Sequence, residues 1–280
     1  MSTTDDRLEQ GNAGGERRAQ RVRHELRFRM LKVQAVEPLS PHMVRVIFES
    51  EELEGFVSPG FDDHVKMFFP APGQNSLPRP QFGENGVSFP EDQPRPVMRD
   101  FTPRHYDAAA GTLAIDFALH DSGPATDWAR QARPGQTLAI GGPRGSFIID
   151  SDFDWHLLIG DMTALPAIAR RLEELPTNAR AIALIEVDEP ADALTLTTGP
   201  AASVHWVHRS TQKQDDALVA ALAEIEFPQG DYHAWIGCES ATAKRLREVL
   251  VAERGANPKW VRASGYWRRG AAGIHDSFNE

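Results

Sequence analysis

Residues 99–104, Arg99-Asp100-Phe101-Thr102-Pro103-Arg104, set two cations five positions apart with an aromatic ring and a hydroxyl between them. In an extended strand Arg99 and Phe101 share one side while Thr102 and Arg104 share the other, unless Pro103 bends the run. A bend after Thr102 would gather a cation for a phosphate, a ring face for a flat heterocycle and a hydroxyl for its edge. Without the bend, the segment is an edge strand with solvated arginines. A second candidate runs from Asp116 and Phe117 through His120 into Gly123-Pro124-Ala125-Thr126, where a strand gives way to a turn that opens a helix. Free backbone N–H groups and the Thr126 hydroxyl would suit a pyrophosphate there. Capping by Ser122 or Thr126, with His120 at the surface, is the plainer alternative.

Two further turns lie in the C-terminal half. Gly160-Asp161-Met162-Thr163-Ala164-Leu165-Pro166 follows a buried strand and begins a helix, the place where doubly wound sheets receive nucleotides, although it lacks the GxGxxG spacing. Gly237-Cys238-Glu239-Ser240 occupies the corresponding turn after a later strand, with Cys238 read as buried and inert. No histidine spacing marks a metal site; in His205-Trp206-Val207-His208 the two imidazoles would face opposite sides of a strand.

The elements that must position these groups fall into two textures. Residues 1–22 are polar and aperiodic and read as a disordered tail. Short β-like runs follow at 28–36, 43–47, 65–69, 113–119 and 137–140, separated by Pro, Gly and Asp clusters, which predicts an antiparallel barrel or sandwich over 23–152. Within it, 71–96 carries six prolines and reads as a long surface loop. After residue 150 apolar runs at 156–160, 181–187, 203–207, 233–237 and 259–264 alternate with helical patterns, one from Leu165 and one over 240–254 with Ser240 as N-cap and Gly255 just past the end. The expectation for 153–280 is a parallel-sheet α/β domain.

Composition removes several alternatives. The 280 residues carry a formal net charge of −10, which argues against a duplex nucleic-acid binder. No stretch is long and apolar enough for a membrane helix, so a cytoplasmic protein without membrane insertion is expected, and a monomer is the separate expectation for its assembly. A single cysteine cannot build a disulfide, a thiolate zinc site or a Cys-ligated iron–sulfur cluster, so redox chemistry would need an organic cofactor.

Taken in order over about residues 25–270, the segments HVKMFFP (64–70), RDFTPR (99–104), DFALHDSGPATDWA (116–129), PGQTLAIGGPRGSF (134–147), LLIGDMTALPAIARRLEELP (157–176), HAWIGCES (233–240) and GYWRRG (265–270) resemble the siderophore-interacting proteins, the FAD-binding branch of the ferredoxin–NADP⁺ reductase superfamily. The resemblance implies that Arg99 meets the FAD phosphates, Phe101 lies against the isoalloxazine and Thr102 hydrogen-bonds near flavin N5. Phe101 stands where Tyr is usual, keeping the ring face and losing a hydroxyl. Asp116, Phe117 and His120 would line the flavin, while Gly123, Pro124, Ala125 and Thr126 would cradle the pyrophosphate. NADPH or NADH would meet Gly160, Asp161, Thr163 and Ala164 on one side and Gly237, Cys238 and Glu239 on the other. Arg209 and Ser210 favour NADPH, whereas Asp188 and Glu189 would repel its 2′-phosphate if near. Trp267, with Tyr266, would approach the flavin from the C-terminal end.

The activity so implied is ferric-siderophore reduction. Hard Fe(III) is held tightly by catecholate or hydroxamate oxygens and softer Fe(II) weakly, so reduction releases the metal. An anionic ferric complex would call for local cations, with Lys66, Arg144 and Arg268 as candidates. The competing readings are a general NAD(P)H:flavin or quinone reductase and a siderophore-binding carrier that keeps the fold without turnover.

Overall fold

The computed structural model describes residues 19–71, 73–74, 76–78, 80–83, 86–120, 123–209, 217–271, 273 and 276–278. Residues 1–18 of the expected tail, Ser122 and Ser210 lie outside them.

The N-terminal half carries strands β1 (Gln20–Arg23), β2 (Phe28–Ser40), β3 (Met43–Glu49), β4 (Val65–Phe69), β5 (Gln81–Gly83), β6 (Gly86–Ser88), β7 (Val97–Phe101), β8 (His105–Asp107), β9 (Thr112–Ala118), β10 (Thr137–Gly141) and β11 (Gly145–Ile148), with helix α1 (Pro124–Arg130) after β9. Seven of them form an antiparallel sheet in the order β7-β4-β10-β2-β3-β9-β8, curled into a half-barrel whose edges are β7 and β8. Period-two alternation drives the curl inward. Leu31, Val33, Val46, Phe48, Val65, Met67, Phe69, Leu113, Ile115, Leu138 and Ile140 fill one core, and α1 closes it with Trp128 stacked on Phe48. Residues 20–22, read as tail, instead pair with β11, with the Arg21 guanidinium over the Phe147 ring. Four residues with only one apolar side chain, Val22, give no strand signal; the pairing comes from a distant partner.

The C-terminal half holds β12 (Trp155–Asp161), α2 (Leu165–Glu174), β13 (Arg180–Val187), β14 (Ala202–His208), α3 (Ala217–Ala223), β15 (Tyr232–Glu239), α4 (Ser240–Glu248), β16 (Val261–Trp267) and β17 (Asp276–Ser277). The sheet order is β14-β13-β12-β15-β16-β17, parallel except for the last pair. β12 is buried along its whole length, as expected of a central parallel strand covered on both faces. Two sequence expectations shift. The N-cap of α4 is Glu239, whose carboxylate accepts from Ala241 N at 2.6 Å and Thr242 N at 3.2 Å, while Ser240 Oγ bonds Asp276 and the Trp267 carbonyl. The strand expected at 259–264, β16, starts at Val261 because Asn257 caps a short 3₁₀ turn over Pro258–Trp260.

Polar groups join the halves. Asp62 accepts from Trp235 Nε1 at 3.0 Å and pairs with Arg262 at 2.9 Å. Asp192, fully buried, accepts from the Ser40 hydroxyl, His42 N and His42 Nδ1. Arg170 of α2 donates to the Ser58 carbonyl at 2.6 Å and the Pro103 carbonyl at 3.0 Å.

Candidate functional site

The bend that chemistry asked for in RDFTPR is present. β7 ends at Phe101, the chain leaves the sheet over Thr102–Arg104, and Arg170 holds the carbonyl of Pro103. Arg104 turns away and pairs with Glu173 of α2 at 2.8 Å, leaving Arg99 as the cation of this motif on the cavity wall. The Thr102 side chain is buried and hydrogen-bonded to Tyr266. Burial pushes the Tyr266 phenol well above its ordinary value, so this pair stays neutral.

The cavity behind this bend has a volume of about 590 Å³ and lies between the half-barrel and the C-terminal edge of the parallel sheet. That size is ordinary for a cofactor cleft. On the barrel side its wall includes Lys66, Arg99, Phe101, Thr102, Asp116, Phe117, His120, Gly123, Pro124, Ala125 and Thr126. Phe101 and Phe117 pack at 4.5 Å between ring centroids and present adjoining apolar surface. Asp116 gives both carboxylate oxygens to Arg45, at 2.7 and 2.8 Å, so it supports the wall as a neutralised group.

Gly123 and Thr126 carry the strongest ligand signal. Gly123 has φ +152, and a Cβ there would sit 3.1 Å from His120 Cε1. It precedes α1 and provides no side-chain cap, so the first-turn N–H groups are left to another partner. The Thr126 hydroxyl is buried and has no hydrogen-bond partner among the described residues. An orphaned buried hydroxyl costs free energy unless a ligand satisfies it, and a diphosphate fits beside uncapped N–H groups. The residues present therefore fit FAD.

The sheet side is arranged differently. Asp161 and Thr163 line the cavity, and so do Trp267 and Arg209. Asp161 is fully buried; its Oδ1 accepts from Thr163 N and Oγ1, and its Oδ2 from Trp267 Nε1 at 2.7 Å. Burial pushes its carboxyl upward against those hydrogen bonds. Arg209 pairs with Glu186 at 2.8 Å and Asp188 at 2.7 Å, so the carboxylate expected to repel a 2′-phosphate is tied to the cation expected to bind it.

Several expected contacts are not on the wall. Gly160, Ala164 and Gly237 are buried and pack on one another: a Cβ on Gly160 would lie 2.7 Å from the Gly237 carbonyl and 2.8 Å from Ala164 Cβ. Their smallness lets β12, β15 and the start of α2 approach. Glu239 caps α4 instead of facing the cavity. Burial raises the Cys238 thiol well above its usual range, which leaves it unreactive. Arg144 is exposed outside the lining residues, and Arg268 pairs with Asp276 at 2.7 Å, also outside them. None of the described residues of 71–96 lines the cavity; Phe89 packs with Phe28 and Phe68 on the barrel. Sequence reasoning missed His64, Met98 and Asp100 on the wall. Asp100 and His64 had a usable signal, their places inside RDFTPR and HVKMFFP, whereas Met98 had none.

Two family models match the chain, the siderophore-interacting FAD-binding domain over residues 32–147 and the siderophore-interacting protein over 153–270. An NADPH-dependent ferric-chelate reductase from Escherichia coli is 41% identical over 251 residues, 89% of this chain and 96% of the relative. The chain belongs to the siderophore-interacting protein family. Among other members, the ferric vibriobactin reductase ViuB of Vibrio cholerae is 31% identical over 83% of this chain and 86% of its own length. The crystal structure of a siderophore utilization protein from T. fusca superposes with a TM-score of 0.84 at 36% identity, over 92% of this chain and 98% of that one. As in this family, the half-barrel is an FAD-binding domain and the α/β sheet completes the cavity.

Proposed function

We propose that this chain is a cytoplasmic, FAD-containing NADPH-dependent ferric-siderophore reductase that releases iron as Fe(II). The observation that carries the reading is the unpartnered Thr126 hydroxyl beside the uncapped start of α1, on a cavity whose opposite wall is the C-terminal edge of a parallel sheet. The reductase names of the E. coli and V. cholerae relatives support the choice of reaction.

In this reading Gly123, Pro124, Ala125 and Thr126 hold the FAD pyrophosphate, with Arg99 as counter-cation. Phe101 and Phe117 give the apolar face for the ring system, and Thr102, held by Tyr266, orients its reacting edge. Asp161 fixes Trp267 through the indole N–H, and Arg209 meets the 2′-phosphate of NADPH after loosening its bonds to Glu186 and Asp188. FAD, when bound, supplies the conversion between a two-electron hydride donor and a one-electron metal. The overall balance is one NADPH and two Fe(III) giving NADP⁺, a proton and two Fe(II).

The test is steady-state: FAD-loaded protein, a ferric siderophore, an Fe(II) trap, and NADPH or NADH as donor. NADPH oxidation with matching Fe(II) capture, faster than with NADH, is the expected result. Flavin binding with no trapped Fe(II) from either donor would refute the activity.

A further inference from the structure

We infer that Asp100 sets the charge of the ferric complex this site accepts, by neutralising Lys66 on the cavity wall, so that chelates of low net charge such as ferric tris-hydroxamates are favoured over tri-anionic tris-catecholates. The inference rests on the ferric-reductase reading above. Lys66 and Asp100 stand directly opposite in the β4–β7 register, and Lys66 Nζ donates to Asp100 Oδ1 at 2.8 Å. Both line the cavity, and their side chains are 50% and 28% exposed, so the pair faces the cavity instead of closing the core. The other wall cations are already committed. Arg209 is held by Glu186 and Asp188, while Arg99, whose described bond is to the Met98 carbonyl, is assigned to the FAD phosphates. Apart from Asp116, which Arg45 neutralises, three wall carboxylates, Asp100, Asp161 and Asp188, face three lysine or arginine side chains, on a chain whose net charge is −10.

A ferric ion wrapped by three bidentate catecholates carries a threefold negative charge, whereas three hydroxamates leave it neutral. The tri-anion meets no excess positive charge at this wall and is opposed at long range. The neutral complex is indifferent to both effects. Asp100 is one covalent change from exposing Lys66, which makes it the specificity-determining position.

The experiment compares wild type, Asp100→Asn, Asp100→Glu and the double variant K66Q/D100N, all FAD-loaded with NADPH as donor. Acceptors are a ferric tris-catecholate, a ferric tris-hydroxamate and an uncharged quinone, with an Fe(II) trap for the iron complexes. Binding of the non-reducible gallium(III) tris-catecholate is followed by tryptophan quenching. Asp100→Asn is expected to raise kcat/KM for the tris-catecholate, and its gallium-complex affinity, by about three- to tenfold, with the other two acceptors within about twofold of wild type. Asp100→Glu, which keeps the negative charge opposite Lys66, should show no gain for the tris-catecholate, and K66Q/D100N should lose the gain. Glu253→Gln, which makes the same change in net charge on a remote surface, should leave all three acceptors unchanged. An unchanged tris-catecholate affinity in Asp100→Asn, or an equal rise for all three acceptors, would overturn the role of Asp100. Quinone reduction without Fe(II) from either chelate by wild type would instead remove the ferric-reductase reading, and this inference with it.

Discussion

Two edges meet at the cavity, and they differ in how far the protein satisfies its own polar groups. On the half-barrel edge the Thr126 hydroxyl is orphaned and α1 starts without a side-chain cap. On the sheet edge Asp161 is saturated by Thr163 and Trp267, Arg209 is shared between two carboxylates, and Glu239 caps α4. The contrast is that between a resident and a visiting dinucleotide. Groups left open by the fold favour a ligand that stays, whereas groups with internal partners can be borrowed briefly and returned, which suits a donor that must leave after each turnover.

The largest effect comes from forcing the sheet edge apart. A Cβ at Gly237 would lie 2.7 Å from Trp235 Cη2 and 3.1 Å from Ala164 Cβ, so Gly237→Val should destabilise the α/β half by about 3 kcal/mol. Denaturant unfolding followed by tryptophan fluorescence measures it. Next, Arg209→Ala should raise the KM for NADPH by about fivefold and leave NADH nearly unaffected, because it removes the cation and leaves Glu186 and Asp188 uncompensated. Equal effects on both donors would detach Arg209 from 2′-phosphate recognition.

A smaller effect belongs to the latch between the halves. The Asp192 hydrogen bond raises the pKa of His42 above its usual 6.5. A group whose folded value is raised contributes stability that is fully present below the unfolded value and is lost as pH rises through the folded one. His42→Ala should therefore lower Tm most at about pH 6 and least at about pH 9. A deficit constant with pH would mean the contact is packing alone. The smallest change is expected from Cys238→Ser. Activity should stay within about twofold, and the wild-type thiol should resist alkylation in the folded enzyme, since burial keeps it protonated.

Local pattern carried much of the architecture. Alternating strands, turn punctuation and the strand–turn–helix order at Gly123–Thr126 and Gly160–Pro166 are written in neighbouring residues, and so were readable. What escaped depends on register and distance. Asp100 meets Lys66 only because β7 pairs with β4 across 34 positions, and His42 meets Asp192 across 150. Arg268 was legible as a cation but not as the partner of Asp276, which sits on a two-residue strand too short to leave a pattern. Gly160 and Gly237 were correctly found at the sheet edge, yet their residue type reflects close backbone packing that only the neighbouring strand reveals.

The difference between the two edges is tested most directly by titrating apoprotein with FAD for wild type and Thr126→Val. The account predicts FAD affinity about tenfold weaker in the variant, apoprotein thermal stability equal or higher because an orphaned hydroxyl has been removed, and an unchanged KM for NADPH once FAD is saturating. FAD affinity equal to wild type would contradict it.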